Sequence, residues 1–277
     1  MTPLGDGSTF FDVPSENVAT SATAPSGDRR TRKREARRHQ LLDLAAEIVD
    51  REGVGGLTMA ALAEAADYAT ASLYTYFPSR SALVAALQER ALVVLGEVGA
   101  GAAAAWDDAL RVVPATAPEV AALARLCGFS DLFLAAPDRH RHEFRLQQQL
   151  LVTPGVEDAA DAGAVVPVAM HVLGLPHRLL AEAAELGALR VDGPLADPLG
   201  APVDASLART FAWVLALNGA LLADGLVTGL PATGAQVGTH VTEALLVGWG
   251  ADPVHLASAR TLSAPWLDAA DPRRKAR

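Results

Sequence analysis

The chain has 277 residues, 51% of them hydrophobic, and a net charge of −9, which is length enough for a sizeable core and two subregions. Cys127 is the single cysteine, so an internal disulfide and a cysteine metal cluster are excluded. No run of 18 or more apolar residues is free of charge, so no transmembrane helix and no membrane partner is expected.

Residues 1–28 carry four acids and no base among Gly, Pro, Ser and Thr; this reads as a disordered tail, not a secretory leader, and places the chain in the cytoplasm. Ten bases then face eight acids over 29–90, and seven of those bases lie in "RRTRKREARR" at 29–38. Residues 91–272 reverse the balance with nine bases and twenty acids, and "RRKAR" closes the chain. A basic arm on an otherwise acidic body is the asymmetry expected when one end touches a polyanion.

Helices follow almost without interruption, and no sustained period-2 alternation predicts a strand. The first is expected over 31–52, with Leu41, Leu44, Ala45, Ile48 and Val49 on one stripe and Gly53 as a C-cap. Thr58 is set to N-cap a short second helix to about Ala66. Asp67 tolerates the left-handed backbone of a tight turn. A third helix is expected over 70–76, stopped by Pro78, and Ser79 caps a fourth.

Two very short helices joined by a tight turn predict a helix-turn-helix whose second member is presented to solvent. Leu73 and Phe77, four apart, would face inward. Thr70, Ala71, Ser72, Tyr74 and Thr75 would point away, small and hydroxylic enough to approach a major groove and meet base edges and thymine methyls. Tyr74 and Tyr76 have the reach for phosphates. The free N–H groups of the fourth helix, with Arg80 beside them, would lie at the groove rim.

Residues 41–87, "LLDLAAEIVDREGVGGLTMAALAEAADYATASLYTYFPSRSALVAAL", resemble the DNA-binding domain of the TetR family of bacterial transcriptional regulators, over roughly 35–95 in all. The carriers are the aliphatic first helix ending in "REG", the "LT" opening helix two, "LAEAA", "LYTYF" and "PSRSAL". The resemblance implies that Thr58, Met59, Thr70, Ala71, Ser72, Tyr74, Thr75, Tyr76 and Arg80 face double-stranded DNA. Asp67 stands where the family usually has glycine, Ala71 where glycine or proline is common, and Arg80 where lysine is usual. With few hydrogen-bonding groups at Met59 and Ala60, part of the readout would fall to DNA shape or to the arm in a minor groove.

The expected organisation is a tail at 1–28, arm and helix-turn-helix domain at 29–95 (motif about 58–77), a helical regulatory and dimerisation domain at 96–265, and a basic tail at 266–277. Helices in the larger domain read at about 79–106, 117–136, 138–152, 162–190, 204–229, 233–250 and 253–262, with loops at "TPGVED" and "DGPLADPLGAPVD". Pro118 suits a first helical position, and Pro176 is expected to kink or split its helix. Segments 204–229 and 233–250 are apolar over more than one face; in the family the corresponding pair forms a four-helix homodimer interface. Trp106, Phe129, Phe133, His171, Trp213 and Asn218 are the candidates for lining an effector cavity.

No nucleophile elbow, Gly-rich phosphate loop or zinc-binding H-E-x-x-H occurs, and His140 and His142, two apart, make a poor chelate on a helix. No enzyme activity, metal or cofactor is expected. The reading is an all-α, homodimeric regulator, a ligand-responsive repressor of a palindromic operator with an unidentified small-molecule effector. The alternative is an all-α ligand-binding or catalytic protein with a vestigial helix-turn-helix.

Overall fold

The computed structural model describes residues 26–113, 116–152, 156–190, 205–226 and 232–269. Among them every regular element is a helix. Of the tail expected over 1–28, residues 1–25 lie outside the described residues, as do the loop "DGPLADPLGAPVD", the first half of "TPGVED" and the chain beyond 269, whereas residues 26–28 are helical instead. The chain divides into two compact units, Met1–His39 and Gln40–Arg277.

Helix α1 spans Ser26–Gly56 and starts earlier than the 31 expected, because the Arg- and Lys-rich stretch is made of good helix formers. In the first unit its residues 29–36 are exposed. In the second unit Leu41, Leu42, Ala45, Ile48 and Val49 are buried. The helix breaks at Gly53, whose φ of 75° belongs to the left-handed region expected of a C-cap glycine.

Helix α2 (Met59–Ala65) is capped by Thr58, whose Oγ1 accepts from the Ala61 N–H at 3.0 Å. Asp67 takes φ 54° in the turn. Helix α3 is Thr70–Leu73, shorter than the 70–76 expected. Its next residues close as a turn, with Thr75 and Tyr76 N–H donating to the Ser72 and Leu73 carbonyls three residues back; the approach to Pro78 disfavours another helical turn. Ser79 Oγ caps helix α4 (Arg80–Arg111) by accepting from the Ala82 N–H at 2.9 Å. Leu62, Leu73, Phe77, Leu83 and Leu87 join the α1 stripe in one core, each large aliphatic contributing about 1.5–3 kcal/mol.

Helices α5 (Pro118–Arg139), α6 (Arg141–Val152), α7 (Ala159–Glu185), α8 (Ala205–Leu226), α9 (Gly234–Gly248), α10 (Pro253–Ser263) and α11 (Trp266–Ala269) follow. Pro118 sits at the first turn of α5. Helix α7 continues through Pro167 and Pro176, so of the kink or split expected at Pro176 the split does not occur. Each proline removes one backbone bond, and Val165, Leu179 and Leu180, buried on either side of them, pack the helix into the fold. A second core gathers Trp106, Leu123, Leu126, Leu180, Trp213, Leu217, Leu246 and Trp266. Trp266, which the sequence assigns to the tail, stacks on Trp106 with centroids 6.0 Å apart. By length and composition alone, Pro118–Arg139, Ala159–Glu185 and Ser206–Ala223 are apolar enough to cross a membrane; each sends side chains such as Leu123, Leu180 and Trp213 into this core.

Candidate functional site

The short α3 is held from below and open above. Leu73 and Phe77 are 0% and 1% exposed, which fixes the rotation of the segment. Thr70, Ala71, Ser72, Tyr74 and Thr75 are consequently exposed together, and Tyr74 is half uncovered at 51%. Thr75 Oγ1 donates to the Ser72 carbonyl at 2.8 Å, which ties the side chain to the end of the short helix. Thr58 is exposed at the head of α2.

Three of the expected DNA-facing residues are placed differently. Met59 is buried at 8% in the first core, because its neighbour Thr58 takes the outward capping position and turns Met59 inward. Tyr76 is half-buried against that core, one residue before Phe77. Arg80 turns back into the protein: its Nε–H donates to the Leu57 carbonyl and its Nη2–H to the Val54 carbonyl, both at 2.7 Å. It thereby ties the head of α4 to the turn between α1 and α2. A signal for this was available, since a cation in the first turn of a helix opposes the dipole unless carbonyls hold it.

The head of α4 is also met by protein. Ser79 Oγ donates to Asp161 Oδ2 at 3.5 Å, and Ser81 Oγ accepts from the Glu157 and Asp158 N–H groups at 3.2 and 3.1 Å. Helix α6 approaches the same domain elsewhere. Gln149 Oε1 accepts from the Val54 N–H at 3.0 Å, and His142 Nδ1 pairs with Asp50. The backbone of Val54 is therefore held on one side by α4 and on the other by α6.

A cavity of about 140 Å³ lies between α4, α5, α6 and α7, lined by Gly96, Phe129, Phe133, Phe144, His171 and Arg178 among others. The α4 wall lies close to α7: a Cβ on Gly99 would stand 3.1 Å from Leu175 Cδ2, and the leucine would have to shift slightly to admit it. Of the six candidates for such a lining, Phe129, Phe133 and His171 border the space. Trp106, Trp213 and Asn218 do not. Trp106 is committed to Trp266, and Trp213 donates Nε1–H to Thr242 Oγ1 at 2.9 Å. Asn218 satisfies its amide on the Val214 carbonyl one turn back at 2.9 Å. Sequence reasoning missed Phe144, Arg178 and His140. Among the described residues, no group of three or more His, Cys, Asp or Glu could hold a metal ion.

Residues 41–87 match the family model described as bacterial regulatory proteins, tetR family. No curated protein matches the chain. Among solved structures, it is similar to FadR, a transcriptional regulator from Bacillus subtilis crystallised with stearoyl-CoA, at 15% identity over 76% of this chain and 98% of that one, with a TM-score of 0.50. It is also similar to RolR in complex with resorcinol (21% identity, 85% and 96% covered, TM-score 0.49). A protein of unknown function from Rhodococcus sp. RHA1 is similar at 24% identity, with 76% and 94% covered and a TM-score of 0.49.

Proposed function

We propose that this TetR-family chain, which carries the family's helix-turn-helix domain at residues 41–87, is a ligand-responsive repressor that binds a palindromic operator as a homodimer. The observation that carries the reading is the outer face of α3 and the turn after it, where Thr70, Ala71, Ser72, Tyr74 and Thr75 are exposed over a fixed apolar base. Such a face offers hydroxyls and methyls to base edges with little bulk to hold the backbone away from the groove. The basic run at 29–38 supplies charge for phosphates.

A dimer is favoured by apolar side chains left uncovered on α8 and α9. Phe211, Leu215 and Val247 are 41%, 57% and 44% exposed, and the first two lie one turn apart on α8. Regulation would use the cavity. Helix α4 carries Arg80 at one end and lines the cavity near Gly96, about 24 Å along its axis. Helix α6 contributes Phe144 to the cavity and Gln149 to Val54. A ligand that prefers one arrangement of α4 and α6 would shift the population of DNA-competent dimers by its differential affinity.

Selection of bound fragments from a random-sequence duplex pool tests the reading. Recovery of a palindrome is the expected result; a pool that stays random after repeated rounds at low salt would overturn it.

A further inference from the structure

We propose that the cavity takes a small carboxylate with a single-ring apolar body, its anionic head held by Arg178 and its body packed against Phe129, Phe133 and Phe144. This deepens, and rests on, the effector reading given above.

Size comes first. About 140 Å³ is the scale of a cavity that accepts one benzene ring. Phe133 meets Phe144 edge-on, with centroids 5.1 Å apart and planes at 83°, and meets Phe129 at 6.1 Å and 43°. Phe129 is backed on another side by Trp213 at 5.0 Å and 55°, so the three phenylalanines form a fixed apolar wall of the kind another aromatic ring packs against in tilted or offset geometry.

Charge selects the head. Residues 91–272 hold twenty acids and nine bases, yet the cavity lining contains no Asp or Glu, and its ionisable side chains are His140, His171 and Arg178. An ammonium head would find no counter-charge there, whereas a carboxylate would find a guanidinium. Glu182, one turn beyond Arg178, accepts instead from Arg125 Nη1 at 3.3 Å. The guanidinium of Arg178 folds back along α7, its Nη1 3.2 Å from where a Cβ on Gly174 would sit. His171 lies two turns earlier on the same face of the helix, and Arg178 stands at the edge of the cavity, where it also borders a groove with Glu182 and Glu185. A planar guanidinium fork matches a carboxylate in a way that a point charge does not. Arg178 is exposed, so the head stays hydrated on one side and its burial cost is reduced.

The experiment is calorimetric titration of the full-length, DNA-free protein with phenylacetate, 2-phenylethanol and 2-phenylethylamine, which share a body and differ in head charge. Phenylacetate is expected to bind at least tenfold more tightly than the alcohol, with the amine weakest. Arg178→Gln should close the gap between acid and alcohol. The proposal is overturned if none of the three binds, if the alcohol or the amine equals the acid, or if a folded Arg178→Gln protein keeps the gap. Should circular dichroism show that this variant does not fold, the wild-type ranking decides alone. Because no DNA is present, the outcome is separate from the operator selection: an operator without phenylacetate binding removes this inference only, and phenylacetate binding without an operator removes only the regulator.

Discussion

Arg80 Nη2 reaches the carbonyl of Val54, 26 residues earlier, at 2.7 Å, while the N–H of the same Val54 donates to Gln149 Oε1 at 3.0 Å. One peptide segment between α1 and α2 is thus clamped by a helix of the DNA-binding domain and by a helix that borders the cavity. With its second bond, to Leu57, Arg80 makes two charge-assisted hydrogen bonds in a half-buried site. Arg80→Ala is expected to cost about 2–4 kcal/mol of stability, since each such bond contributes about 1.5–3 kcal/mol and its acceptor is left behind. Arg80→Lys should recover part of this, because an ammonium cannot span both carbonyls in one plane. Urea unfolding measures it; an unchanged midpoint together with lost DNA affinity would return Arg80 to the phosphates.

The exposed face of α3 separates two kinds of contact. Tyr74→Ala is expected to weaken binding to all duplexes alike. Thr70→Ala should relax preference at one base position by about 1–3 kcal/mol. At Thr75 the hydroxyl already donates to the Ser72 carbonyl, so Thr75→Ser keeps that bond and removes only the methyl, and its loss should register at a thymine position. Mobility shifts on the selected operator and its single-base variants check this. If all three bind like the parent, α3 does not enter the groove.

Local chemistry made much of this domain legible in the sequence. Thr58, Asp67 and Ser79 are determined by capping and turn rules that act within three residues, and each takes that role. Met59 and Arg80 depend on what lies across the fold, which the family resemblance that put them on the DNA side does not specify for this chain. In the larger domain, the apolar pattern shows that the segments of α8 and α9 are hydrophobic over more than one face, but a pattern alone does not tell which helix faces meet a cavity and which meet core. Trp106 and Trp213, the largest side chains, went to the core because there they fill volume and find a partner, Trp266 for one and Thr242 for the other. Phe144 and Arg178 stand on helices with mixed polar and apolar surfaces, and only the folded arrangement brings them to one space.

If the proposed homodimer forms through α8 and α9, Leu215→Glu is expected to dissociate it. Leu215 is 57% exposed on α8, so the charge would be harmless to an isolated subunit yet costly by several kcal/mol when sealed in an apolar interface. Leu245, by contrast, packs against the core of its own subunit and is a poorer probe. Sedimentation of parent and variant at micromolar concentration decides. A parent that sediments as a folded monomer would end the dimer reading.

Cys127 reports on the second core. Burial pushes its thiol up from 9.0 to about 12 against the lowering influence of Arg260, which itself pairs with Asp131 at 2.9 and 3.0 Å. Labelling by a thiol-directed reagent at pH 8 should therefore follow the unfolding transition in urea and be negligible before it. The raised value also sets a pH dependence. The unfolded thiol ionises first, so the stability associated with neutral Cys127 is complete below pH 9 and is lost as pH rises toward 12, by about 1.4 kcal/mol per unit. Cys127→Ala should flatten that part of the curve.

Deletion of residues 1–38 tests the basic arm. The second compact unit begins at Gln40, and its buried stripe begins at Leu41, so the truncated chain should fold with an unchanged unfolding midpoint. It would lack the seven bases and one acid at 29–38. If those bases meet phosphates, affinity for an operator falls, and so does the slope of log affinity against log salt, by roughly 0.9 for each phosphate no longer neutralised. If the arm also lies in a minor groove, preference for A·T flanks disappears with it, because that groove is read chiefly through its width and its A·T-versus-G·C pattern. A salt titration of full-length and truncated protein on one operator, repeated on a G·C-flanked version, separates these cases. Parallel slopes would show that the charge of the arm plays no part in holding DNA.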